Sequence, residues 1–250
     1  MPVGRAFDEA ARLGREGPGL DLGIHLTLVE ERPLLPPHEI PSLVDSEGRF
    51  LRHADRFVLR YLAGRIDPND VRRELAEQCR KVFSAGLSPT HLDSHQHLHL
   101  LPGLLEVVAE LSREFGIPAI RLVHERRVLR QLGHASPARI GQALIVNALG
   151  RRARRRQQSP VDGFVGFLGA GRLDEREIVR LLQHLPSQGT WELGCHPGLA
   201  DAGTPYPHWG YHWEAELAAL TSPRVRALVE EKGIRLIGFR DLVERPQAAR

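Results

Sequence analysis

A chain of 250 residues with 42% apolar and 26% charged residues can bury a full core in one large domain, which excludes disorder as its main theme. The formal net charge is only +3, and of 34 basic residues just Lys81 and Lys232 are lysines, so the arginine content reads as compositional bias and not as a nucleic-acid surface. Cys79 and Cys195 stand far apart with no CxxC pair, no apolar leader opens the chain, and no run of 18 apolar residues occurs; a soluble cytoplasmic protein without a disulfide framework is expected.

The predicted elements alternate. Residues 7–16, FDEAARLGRE, carry Phe7, Ala10, Ala11 and Leu13 at helical spacing. Residues 20–28, LDLGIHLTL, alternate Leu20, Leu22, Ile24, Leu26 and Leu28 with Asp21, Gly23, His25 and Thr27, the period of a strand. The prolines of 30–55 predict a loop, and 68–86 a helix capped by Asn69 or Asp70 and stopped at Gly86. A strand is expected at 90–95, a helix at 103–115, a strand at 118–123 and a helix from Pro137 to Arg155. A helix at 174–185, a strand at 190–195 and helices at 213–219 and 222–232 follow. IRLIGF (234–239) reads as a last strand and RDLVE as a short tail helix. Such alternation predicts parallel βα units in a single α/β domain, 1–250, as a barrel or an open sheet. Reactive residues late in their strands favour the barrel, because a barrel gathers its chemistry at the C-terminal strand ends.

Chemistry concentrates in three segments. HLDSHQHLHLLPG (91–103) spaces His91, Asp93, His95, His97 and His99 two apart, which on a continuing strand would put all five on one face. GIHLTL places His25 opposite an apolar row, and ELGCHPG gives Glu192 and His196 a shared strand face ended by Pro197-Gly198. Two histidines from separate strands plus a carboxylate suit a hydrolytic divalent metal with an open position for water. Each histidine also has a plainer reading as a hydrogen-bonded structural residue. His91, His97 and His99 are expected to be structural or to orient the ligands, since one metal cannot use all of them. Cys195 adjoins His196, but neighbouring strand residues face opposite ways, which counts against a Cys-His nucleophile.

Together these segments resemble the YdjC-like carbohydrate deacetylase family, which includes chitooligosaccharide deacetylases and hopanoid-associated relatives. The matching stretches are LDLGIHLTL, SPTHLDSHQHLHLLP and WELGCHPGLAD, in the family's order and spacing, with ELAALTSPRVRALVEEKGIRLIGFRDL similar to its closing segment. The resemblance implies an irregular TIM-like (β/α) barrel, one divalent ion (Mg²⁺ or Zn²⁺) and hydrolysis of an N-acetyl group from an amino-sugar carbohydrate or glycolipid. By position His25 and His95 match the family's metal-binding histidines. Asp93 matches the acidic residue of the same motif and His196 a proton donor or oxyanion partner, and these two are the expected catalytic residues. The rivals are a metal hydrolase for another amide or ester, and a sugar-binding remnant of the family.

The family also begins with a strand ending in Asp-Asp-Phe-Gly, which supplies a third ligand and the base. MPVGRAFDEAA already resembles the segment after its first helix, so the fold expected for residues 1–250 lacks one βα unit. An exposed strand edge makes self-association as a homo-oligomer an expectation. RRARRRQQ (151–158) reads as a solvated helix end, or as a peripheral contact with an anionic membrane surface. TPYPHWGYHWEAEL (204–217) holds Tyr206, Trp209, Tyr211 and Trp213; Trp209, Tyr211 and Trp213 suit stacking on a sugar face, or packing over the fold. Residues 1–250 alone are expected to deacetylate weakly or not at all; robust acetate release from an N-acetylglucosamine oligomer would overturn that.

Overall fold

The computed structural model describes residues 1–17, 19–125, 137–157, 159–199, 206 and 209–243. Gln158, Thr204, Pro205, Pro207, His208 and Glu244, which belong to segments singled out above, lie outside the described residues. The chain groups into two compact units: Met1–Leu122 with Ala153–Pro160 and Ile237–Arg250, and Val123–Arg152 with Val161–Leu236.

The first unit opens with α1 (Phe7–Glu16) and β1 (Gly23–Leu26). A helix not expected from the sequence, α2 (Ala54–Leu62), follows the proline-rich loop and buries a single ring, Phe57. In α3 (Pro68–Ser84) the cap is Asp67, whose side chain accepts from the Asn69 backbone N–H at 2.8 Å, with Pro68 at the first helical position. Asp70, expected as a cap, is buried instead and accepts from the Ser42 backbone N–H at 2.9 Å. Then come β2 (His91–Ser94), a 3-10 segment (His95–Leu100), α4 (Leu104–Glu114) and β3 (Ala119–Ile120). The strands form one parallel sheet in the order β1-β2-β3, and every residue of β2, the central strand, is buried.

The second unit contains most of α5 (Pro137–Arg154), then β4 (Gly163–Val165), α6 (Glu175–Gln183), β5 (Trp191–Leu193), α7 (Trp213–Leu220) and α8 (Pro223–Glu231). β4 and β5 pair in parallel as a two-stranded sheet. Leu173, Ile178, Val179, Leu181, Ala219 and Val225 make an apolar cluster under α6, α7 and α8. Fully burying one such side chain is worth roughly 1.5–3 kcal/mol. α5 can approach the chain after β3 because Gly150 has no side chain: a Cβ there would stand 1.7 Å from the Val123 carbonyl oxygen.

Among the described residues the parallel strands form sheets of three and two strands, in keeping with the α/β class, and no closed barrel is present. One expectation changes. IRLIGF is not a strand: residues 234–238 join no strand pairing, and the chain enters α9 (Phe239–Val243). That turn is held from outside, since Asp21 accepts from the Arg240 backbone N–H at 3.0 Å and Phe239 stacks on the His91 ring at 4.1 Å. Among the described residues no helix is long and apolar enough to cross a membrane.

His99 is buried, with Nδ1 accepting from Ser94 Oγ at 2.7 Å and Nε2 donating to the Arg121 carbonyl at 2.8 Å. Burial pushes its pKa down from 6.5 to about 4. The unfolded chain therefore takes up a proton between those pH values that the folded chain refuses, and stability is lost as pH falls through that window. Urea unfolding at steps from pH 7 to 4.5 should show falling stability, with His99→Gln reducing the slope by up to about 1.4 kcal/mol per pH unit. Gly150→Ala should lower stability by about 2 kcal/mol or more in the same assay, because the clash is with backbone.

Candidate active site

The register of β1 on β2 builds the centre. His25 pairs with Asp93 across the parallel ladder, so the two side chains leave the sheet on one face, side by side. β3 continues the row: His91 pairs with Ala119 and Leu92 with Ile120, and the Arg121 backbone N–H bonds the Leu92 carbonyl at 2.9 Å. Arg121 thus lies on the other flank of Asp93. His25 Nδ1 donates to Asp93 Oδ1 at 2.9 Å, while Arg121 Nη1 ion-pairs with Asp93 Oδ2. Burial pushes the Asp93 carboxyl up, but His25 and Arg121 beside it outweigh that and hold the group well below the usual carboxylate range. Asp93 thus engages both oxygens, one with His25 and one with Arg121.

His95 completes the cluster. The strand ends at Ser94, and His95 still leaves on the face of Asp93. Its Nδ1 stands 3.3 Å from His25 Nε2, with the rings edge to face at 84°. On its far side His95 Nε2 is 2.7 Å from Glu30 Oε2. The five-residue stripe does not continue, because Gln96 and His97 turn left-handed at φ 52° and 56°. His97 leaves the row, and His99 turns under the sheet to hold the Arg121 carbonyl. His91, at the other end of β2, packs its ring over Gly23, where a Cβ would meet it at 2.3 Å. Burial lowers the pKa of both His91 and His97 and favours their neutral forms. The sequence reading missed Glu30 and Arg121. Arg121 could have been found by extending the strand register one residue past β3; Glu30, in a loop, carried no periodic signal.

The donor set can be tested against a divalent ion. Two nitrogens bound to one zinc at about 2.0–2.1 Å and a tetrahedral angle stand about 3.3 Å apart. His25 Nε2 and His95 Nδ1 have that spacing, and each ring is backed by a carboxylate on its other nitrogen, the usual arrangement of metal-bound histidines. The pair therefore fits a metal. Among the described residues no group of three or more His, Cys, Asp and Glu is arranged to hold one.

His196 lies in the second unit. β5 ends at Leu193, so the shared strand face expected for Glu192 and His196 does not extend that far; the Gly194 backbone N–H makes the last sheet-like bond, 3.0 Å to Val165. The segment is then held by Glu216 of α7, fully buried, which accepts from the His196 backbone N–H at 2.5 Å and from that of Leu173 at 3.1 Å. Cys195 packs against the apolar cluster. The His196 ring meets Tyr211 edge-on at 5.0 Å, and Tyr211 in turn packs at a tilt against Trp213 at 4.9 Å and Trp209 at 5.1 Å. Tyr211 is seated on Gly171, where a Cβ would lie 2.2 Å from the ring. The aromatics are half-buried, leaving ring surface open to solvent.

Comparison with known proteins agrees with the motifs. A carbohydrate deacetylase of Geobacillus stearothermophilus is 32% identical over 241 residues, 94% of this chain and 82% of that protein. A chitooligosaccharide deacetylase of Yersinia pestis is 32% identical over 239 residues, 94% of this chain and 83% of its own length. A crystal structure from Enterococcus faecalis V583, provisionally described as a cellobiose-phosphate cleavage protein, superposes with a TM-score of 0.72 at 26% identity, covering 97% of this chain and 86% of that one. The model of the YdjC-like protein family matches residues 1–231, and the chain belongs to that family.

Proposed function

We propose that this protein is a metal-dependent hydrolase that removes N-acetyl groups from an amino-sugar-containing carbohydrate or glycolipid, with one divalent ion, Mg²⁺ or Zn²⁺. The observation that carries the reading is the approach of His25 Nε2 and His95 Nδ1 to 3.3 Å at the C-terminal ends of parallel strands, in a chain whose relatives are named carbohydrate and chitooligosaccharide deacetylases. The irregular barrel belongs to the same proposal, supported by the parallel order β1-β2-β3 and by polar residues at the strand ends.

His25 and His95 would hold the ion, which when bound supplies Lewis-acid polarisation of the acetamide carbonyl and acidifies a water. Asp93 keeps His25 Nδ1 protonated, so that Nε2 presents a lone pair. Arg121 keeps Asp93 ionised for that task. His196 is assigned the proton transfer to the departing amine, or a hydrogen bond to the carbonyl oxygen; Glu216 fixes its backbone and Tyr211 its ring. Trp209, Tyr211 and Trp213 offer stacking faces for a sugar.

A second reading, sugar binding without turnover, is favoured by one observation: the described residues bring together two metal-ligating nitrogens, where a catalytic site ordinarily has three protein ligands. Acetate release from N-acetylglucosamine oligomers, measured with enzyme in excess and with added Zn²⁺ or Mg²⁺, separates the two. The hydrolase reading expects slow release that chelator removes and that His25→Ala or His95→Ala lowers at least ~100-fold. Release indifferent to both substitutions would defeat it, and tight oligosaccharide binding with no release would establish the second. Trp209→Ala should raise KM about 10-fold with kcat changed less, in keeping with a stacking contact worth ~1–1.5 kcal/mol.

A further inference from the structure

Three non-glycine residues have a left-handed backbone among the described residues, and all three surround His95: Gln96 and His97 follow it, and Glu30, at φ 70°, contacts its ring. Each such residue is strained and persists only where its surroundings hold it. The turn carrying Glu30 is held on every side. Its own backbone N–H bonds the Leu51 carbonyl at 2.9 Å. Upstream, Gln78 of α3 clasps Thr27, accepting from its backbone N–H at 2.9 Å and donating to its carbonyl at 2.8 Å. Downstream, Glu74 of the same helix accepts from the backbone N–H groups of Leu34 and Leu35, both at 3.0 Å. Strain maintained by this many contacts, converging on one imidazole, points to what that imidazole must present.

We propose that Glu30 is a positioning residue that fixes the tautomer of His95; the inference rests on the reading of His25 and His95 as ligands and goes beyond it. The Glu30 carboxylate, 6% exposed and 2.7 Å from Nε2, can only accept, so it keeps the His95 proton on Nε2. Nδ1 is then left with its lone pair, directed at His25. On the opposite side Asp93 does the same for His25, drawing its proton to Nδ1 and leaving a lone pair on Nε2. Two lone pairs therefore face each other across 3.3 Å, an arrangement that repels unless a cation lies between them. Glu30 and Asp93 form a symmetric pair of carboxylates behind a two-nitrogen clamp. Glu30 belongs to none of the three sequence motifs, and the role assigned to it acts through His95.

The test uses the metal-free full-length chain labelled with ¹⁵N-histidine, at pH 8. Long-range ¹H–¹⁵N correlation should show His95 protonated on Nε2 in the wild type. Glu30→Gln, whose amide can also donate, should convert His95 wholly or partly to the Nδ1-protonated form. Zinc(II) titrated calorimetrically should bind Glu30→Gln 10- to 100-fold more weakly than wild type, with the thermal midpoint of the metal-free protein recorded beside it. A wild-type His95 carrying a proton on Nδ1 would overturn the proposal, as would unchanged zinc affinity in Glu30→Gln. Should Glu30→Gln fail to fold, the wild-type spectrum alone decides. Should the wild type bind no zinc while His95 shows the Nε2 proton, the metal reading fails and the role of Glu30 stands.

Discussion

The parallel register that sets His25 beside Asp93 is the constraint on which the rest of the centre depends. Because residues paired across a parallel ladder share a face, one choice of register places His25, Asp93 and the start of the Arg121 flank in a single row. A slip of one residue would turn His25 into the apolar layer now occupied by Ile24 and Leu26 and expel those two to the polar side. Burial of Ile24, Leu26 and Leu92 therefore selects the chemistry indirectly: the core fixes the register, and the register fixes which polar atoms meet.

Buried carboxylates do a second task throughout the molecule. Glu74 satisfies the amides of the loop after β1, Glu125 accepts from Gly166 and Leu168 after β4, and Glu216 accepts from Leu173 and His196. Each converts a loop that would otherwise carry unsatisfied amides into a rigid support at a strand end. Burial raises the pKa of Glu74, the expected cost of placing a carboxyl inside the protein, and its hydrogen bonds from Gln78, Leu35 and Leu34 oppose that shift. In both units the segments bearing candidate site residues are held in this way, which suits chemistry that needs fixed donors.

Much of the architecture could be read from pattern. Helical spacing in residues 7–16, 68–86 and 174–185 corresponds to α1, α3 and α6 within a few residues, and the period-two stretch around His25 to β1. The pairing of His25 with His95 was implied by the family resemblance together with their places late in separate strands, and the two rings do meet, at 3.3 Å. Other features escaped for physical reasons. The strand expected at 90–95 corresponds to β2, but the left-handed turn at Gln96 and His97 that scatters the later histidines is announced by nothing in their residue types. IRLIGF has strand periodicity but pairs with no strand, and pairing, unlike periodicity, is not local. β4 is three residues long and lay below any periodic signal. Glu30 was invisible because its importance lies in a turn geometry imposed by α3 from 40 or more residues away in sequence.

The central claim is that two imidazole nitrogens, brought together from separate strands, take one ion between them. Zinc K-edge X-ray absorption on the full-length protein loaded with one equivalent of Zn²⁺ measures this directly. Two imidazole ligands at about 2.0 Å per zinc, falling to one in His25→Ala and in His95→Ala, is the predicted result. A zinc shell free of imidazole scattering, or one unchanged by both substitutions, would contradict it.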